Sequence, residues 1–221
     1  AGPRVLPWPG GKHPRTGFRD GAIRPQRETK VSVFAPWADG GYAVVDAPEA
    51  VWVNDAEGKP ALEYLAHTHV PTVWDKAGVA LDPLEWKWQR HAVLAVKRKL
   101  PDGVTLATYV DRGSNGVRMT FVVTNHSPRL LTGLRVQMCT MLGGLTGFES
   151  LTNENKRFAA PIAACHDASG RRWIVTGWEG CGRAWGNPPC PCLHSDPVLP
   201  DCPPGESRSV RGWLSFHEWP E

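Results

Sequence analysis

Apolar and polar positions alternate with a period of two in several short runs along this chain. Between the runs, glycine and proline recur too often for long amphipathic helices. Residues 30–34 and 50–53 alternate, and residues 92–96 and 104–110 follow, the last run entered through Pro101-Asp102-Gly103. Asn115-Gly116 is a preferred two-residue hairpin turn and separates residues 109–111 from 117–123. Residues 130–142 form a longer apolar run that reads as a buried central strand, ended by Gly143-Gly144. Residues 172–178 are another strand, and residues 207–216 alternate as the last one. About ten strands with hardly a helix predict an all-β, single-domain antiparallel sandwich, of jelly-roll or related form.

Two stretches lack this rhythm. Residues 1–28 carry five prolines and five glycines with many arginines, and read as an extended N-terminal arm before a sandwich domain at 29–221. The second is a Cys/Pro-rich loop, in which Cys181, Cys190, Cys192 and Cys202 fall within 22 residues. A loop with no apolar period needs staples. Disulfides pairing Cys190 and Cys192 outward, with Cys181 and Cys202, would supply them in an oxidising compartment, so a secreted or periplasmic location is expected. Zinc held by these cysteines with His194 is the competing reading, although Cys-x-Cys is not the usual zinc spacing. Cys139, inside the apolar run, reads as a small buried hydrophobe.

Composition narrows the function classes. A formal net charge of +3 with scattered basic residues does not suggest a nucleic-acid surface. No apolar run is long enough to predict a membrane span. Eleven tryptophans against three tyrosines is unusual. Most are expected in the core, but indoles also stack on the apolar faces of sugar rings. No phosphate-binding glycine loop, nucleophile elbow or HExxH motif is present, which sets aside nucleotide, α/β-hydrolase and zincin chemistry.

The densest chemistry lies in residues 65–90, LAHTHVPTVWDKAGVALDPLEWKWQR. If His67-Thr68-His69 is extended, both imidazoles project from one face. They can then share a mononuclear copper, zinc or iron ion, with His194 as the third ligand and Gln137, or alternatively Glu149, completing the set. Alternatively they flank a substrate as acid and base, with Asp75, Glu85 or Glu149 as partner and Lys76 nearby. Trp74, Trp86, Trp88 and Arg90 in the same stretch, and Arg183 and Trp185 before the Cys-rich loop, are candidate substrate contacts. Asn125-His126-Ser127 matches a glycosylation sequon.

Two resemblances add to this reading. Thr72-Val73-Trp74-Asp75-Lys76, and the tail from Ala184-Trp185-Gly186-Asn187 through Cys192-Leu193-His194-Ser195-Asp196-Pro197 to Pro203-Pro204-Gly205-Glu206, look like exported bacterial β-sandwich proteins with no assigned function. Such proteins tend to come from polysaccharide degraders. Residues 116–125, followed by Leu134-Arg135-Val136-Gln137, are similar in rhythm to the galactose-mutarotase-like superfamily. That resemblance implies a mutarotase-like sandwich with a histidine and a carboxylate on a concave sheet, roles that His67 or His69 and Glu85 or Glu149 could match.

The expectation is a carbohydrate-active enzyme of the cell exterior with a His-based site and a sugar or polysaccharide as its ligand. The alternative is a non-catalytic carbohydrate-binding module in which Trp86 and Trp88, at i and i+2 of a strand, form a stacking platform.

Overall fold

A computed structural model describes residues 2–9, 29–67, 69–188 and 190–220. Two antiparallel sheets face each other. The seven-stranded sheet contains β1 (Val5–Pro7), β2 (Lys30–Phe34), β3 (Tyr42–Asn54), β9 (Arg135–Met141), β14 (Cys192–Pro197) and β13 (Cys181–Trp185) in spatial order, with β4 (Pro60–Leu65) also on β3. The eight-stranded sheet runs β10 (Lys156–Ala159), β11 (Ile162–His166), β12 (Arg172–Trp178), β15 (Ser207–Glu218), β8 (Gly116–Asn125), β7 (Val104–Arg112), β6 (Leu94–Lys99) and β5 (Lys87–Trp88). The all-β sandwich is as expected, with more strands than the hydrophobic pattern resolved. No helix among the described residues is long and apolar enough to cross a membrane.

Alternation explains the core. Val31, Val33, Val45, Val136, Met138 and Leu193 on one sheet bury against a core that includes Leu106, Phe121, Ile174 and Phe216 on the other. A second, smaller apolar cluster lies on the outward face of the seven-stranded sheet, where Trp8, Val44, Cys139, Met141, Cys190 and Cys192 pack together. Trp8 is anchored there by its N–H, which donates to the Lys30 carbonyl at 3.0 Å. Val5–Pro7, within the expected arm, is therefore a sheet strand paired with β2. Residues 10–28, the rest of that arm, lie outside the described residues.

Three local expectations are revised. The hairpin between β7 and β8 has Ser114 and Asn115 at its tip, since Gly113 N–H donates to the Gly116 carbonyl at 2.8 Å. Gly116 is required for another reason: a Cβ there would strike the Leu214 carbonyl of neighbouring β15. The sequon asparagine is structural. Asn125 is fully buried, its amide donates to the carbonyls of Arg129 and Cys202, and its Oδ1 accepts from Ser127. The expected disulfide staples are not formed, and none of the six cysteines is bridged. Cys202 instead sits in a short bridge with Leu131, and Cys181 opens β13 opposite Pro197.

Candidate functional site on the outward face

The site begins with an interruption in β3. Pro48 has no N–H to continue a ladder, and the pairing of β3 with β9 shifts register between Asp46 and Ala50. Before the shift β3 pairs with β2, and after it with β4. Asp46 stays opposite Cys139, while Glu49 falls in the irregular segment and reaches Gln137. Register then draws a line across five strands. Lys30 faces Asp46, Asp46 faces Cys139, Cys139 faces His194, and His194 faces Trp185. Cross-strand partners share a face, so this polar row lies on the outward side of the sheet.

Its electrostatics are those of a buried network. Lys30 Nζ lies 3.2 Å from Asp46 Oδ2, both side chains fully buried, and Thr29 Oγ1 donates to Asp46 Oδ1 at 2.5 Å. Glu49 Oε1 is 2.9 Å from His67 Nε2, and Gln137 Nε2 donates to Glu49 Oε2 at 2.7 Å. The same Oε2 is 3.8 Å from His194 Nδ1, which lies equally far from Asp196 Oδ1. The Trp185 ring stacks on His194 at 4.2 Å and 17°, and its Nε1 donates to Asp196 Oδ2 at 2.6 Å. Arg183 lies over the Trp185 ring and pairs with the same carboxylate oxygen. Burial alone would lower the pKa of His194, but its neighbours Cys139, Asp196 and Glu49 outweigh burial and raise it to about 10.

Beside this row the outward face opens into a groove of about 500 Å³. Trp52, Arg135, Gln137, Arg183 and Asp196 contribute to its lining. Gln137 and Asp196 belong to both parts, since each lines the groove and contacts or faces the buried cluster.

The residues expected to form the site divide. His67, Gln137, His194, Arg183 and Trp185 are brought together around this face. His69 is not: β4 ends at Leu65, the histidine pair is not on an extended strand, and His69 is exposed while His67 is 2% exposed. Their rings are 5.8 Å apart and tilted by 39°, and Thr68 lies outside the described residues. Asp75 and Thr72 form the capping box of a single helical turn, α1 (Val73–Lys76), whose last residue is the exposed Lys76. Trp74 donates from Nε1 to the Glu63 carbonyl at 2.9 Å. Glu85, Arg90 and Glu149 are exposed, and the Glu149 carboxylate accepts from the Gly147 N–H. Trp86 is 6% exposed and Trp88 51%, so the two indoles do not form one stacking platform.

Asp46, Glu49, Lys30, Trp52, Arg135 and Asp196 escaped the sequence reading. The available signal was Asp46-Ala47-Pro48-Glu49, two carboxylates and a proline inside an otherwise apolar run. Among the described residues, two groups have the donors for a metal: Asp46, Glu49 and His67, and separately Cys139, Cys192 and His194. In the first, Lys30, Thr29 and Gln137 already engage the carboxylates. Of the expected metal ligands, His67 and His194 fall in different donor groups among the described residues.

No protein-family model matches the chain, and no curated protein sequence matches it either. Solved structures do. An Escherichia coli K12 protein described as a candidate aldose 1-epimerase aligns over 87% of this chain and 97% of its own, at 10% identity and a TM-score of 0.53. A candidate mutarotase from Salmonella typhimurium covers 86% and 90%, at 9% identity and a TM-score of 0.44. A candidate kojibiose phosphorylase from the human microbiome matches 97% of this chain, which spans only 32% of that longer one, at 6% identity and a TM-score of 0.47. The architecture is thus a mutarotase-like β-sandwich, at the level of fold.

Proposed function

We propose that the protein is carbohydrate-active and takes a sugar or polysaccharide segment in the groove on the outward face of the seven-stranded sheet. The observation that carries this reading is the composition of the groove. One indole, two guanidinium groups, an amide and a carboxylate converge on about 500 Å³. A flat apolar surface surrounded by fixed hydrogen-bonding groups suits a polar ring. Arg135 and Arg183 add a preference for carboxylate-bearing sugars, because a guanidinium pairs with a carboxylate through two parallel bonds. The fold neighbour described as an aldose 1-epimerase agrees with a sugar ligand.

The catalytic half of the proposal is acid–base chemistry. Asp196 is the carboxylate at the groove wall, and His194, Glu49 and His67 continue behind it as titratable groups in sequence. Such a file can take a proton from a sugar hydroxyl and return it elsewhere on the ring.

NMR titration with neutral aldoses, uronic acids and oligosaccharides tests binding. Saturable shifts at Trp52 and Arg183 are expected, weakened at least tenfold in Trp52→Ala and Arg183→Ala. No saturable shift with any of these sugars would sink the proposal. Anomeric exchange followed by polarimetry then separates the enzyme from a binder: acceleration lost in Asp196→Asn supports catalysis, and an unchanged rate leaves binding alone.

A further inference from the structure

We infer that Cys139, Cys192 and His194 hold one thiophilic d10 metal ion, zinc(II) or copper(I), in a buried site. This goes beyond the carbohydrate reading and does not depend on it. The three donor atoms all lie within 4.8 Å of one another. His194 Nε2 and Cys192 Sγ are 3.5 Å apart. Tetrahedral zinc, with Zn–S about 2.3 Å and Zn–N about 2.0–2.1 Å, sets its sulfur and nitrogen ligands ~3.5 Å apart.

The backbone fixes this grouping before any rotamer is chosen. His194 is directly opposite Cys139 across the β14–β9 ladder, and Cys192 is two residues from His194 on the same strand. All three therefore share a face. Two sulfurs and an imidazole select a soft ion and disfavour magnesium or calcium.

The surroundings of the histidine fit a ligand role. With Nε2 on a metal, Nδ1 carries the proton, and Nδ1 is the nitrogen facing Glu49 Oε2 and Asp196 Oδ1 at 3.8 Å each. Both carboxylates lie just beyond hydrogen-bond distance of this nitrogen, although the residue is 1% exposed. Carboxylates on the far side of a ligating imidazole are the common second layer of metal sites. Cys139 and Cys192 are fully buried, so the ion sits within the protein; three donors suffice for copper(I), whereas tetrahedral zinc takes a fourth ligand. Binding displaces the thiol protons and the His194 Nε2 proton to solvent, so affinity rises with pH. The ion ties β9 to β14, and β14 carries Asp196 into the groove.

The test uses the full chain, stripped with a chelator under reducing, anaerobic conditions. It is then titrated separately with zinc and with copper(I) against chromophoric competitors. Uptake of one equivalent of either ion, and a thiolate-to-metal charge-transfer band on cobalt(II) substitution, are expected. Affinity should fall at least about tenfold in Cys139→Ser, Cys192→Ser and His194→Gln, and stay unchanged in Cys181→Ser. Alkylation footprinting of the unmutated chain covers the case in which a variant fails to fold: bound metal should slow labelling of Cys139 and Cys192 in particular. Failure of the reduced chain to bind either ion stoichiometrically overturns the inference. So does full uptake by the Cys139→Ser/Cys192→Ser double variant, or labelling of both cysteines at the metal-free rate.

Discussion

Glu49 Oε2 lies 3.8 Å from His194 Nδ1, while Glu49 Oε1 lies 2.9 Å from His67 Nε2. One buried carboxylate thus stands between two imidazoles far apart in the chain, one just after β4 and one in β14. The irregular segment of β3 aims Glu49 at this position.

Glu49→Ala removes the acceptor shared by His67 and Gln137 inside a buried site. Breaking one partner out of such a network costs about 3–5 kcal/mol. Glu49→Gln keeps the shape and part of the bonding and should cost less than half as much. Urea unfolding of the two variants checks the order, and a cost below about 1 kcal/mol for the alanine variant would count against the network.

Lys30 and Asp46 form a fully buried ion pair. Lys30→Met alone strands the carboxylate and should destabilise by about 3–5 kcal/mol, whereas Lys30→Met with Asp46→Leu should recover most of that loss. A double-mutant cycle in denaturant measures the recovery. Simple additivity of the two single variants would show that the charges do not interact.

Trp185 does two things, stacking on His194 and donating to Asp196. Trp185→Phe keeps the stack and loses the hydrogen bond, for a cost of about 1–2 kcal/mol. Trp185→Ala loses both and opens His194 to water. NMR exchange of the His194 ring proton should speed up only in the alanine variant, and equal exchange in both would show that the indole is no cover.

The Glu63 carboxyl is raised above its ordinary value of 4.5, chiefly by burial and then by Asp102, with Arg129 opposing. A raised folded-state pKa means its contribution to stability is fully present below the unfolded value and is lost as pH rises through the folded one. Glu63→Gln should therefore gain on the unmutated protein as pH climbs from about 4 towards 7. Paired thermal melts across that range follow the difference, and a trend in the opposite direction would contradict the shift.

The strands were legible because a two-residue period survives in residues 30–34, 104–110 and 117–123, each of which faces the core on one side only. Residues 42–49 were less legible, because Asp46 and Glu49 break an apolar run in a way that looks like a turn. In the folded chain the run is half of a 13-residue strand, and its charges are accommodated by Lys30, Thr29, His67 and Gln137. The cluster at residues 65–90 was misleading in the other sense. Its density was local, and much of it serves to cap a turn, fill the core or face solvent.

The sequence by itself determined an antiparallel all-β sandwich, and it singled out His67, Gln137, His194, Arg183 and Trp185 as candidate site residues, which the fold brings to one face. Alternation and turn residues are local properties, so they can be read along the chain. Only the tertiary structure decided that Lys30, Asp46, Cys139, His194 and Trp185 stand in one row and that Glu49 joins the two histidines. Those relations depend on which strands lie side by side and in what register. Strand order arises from closing a shared core, and no local pattern encodes it.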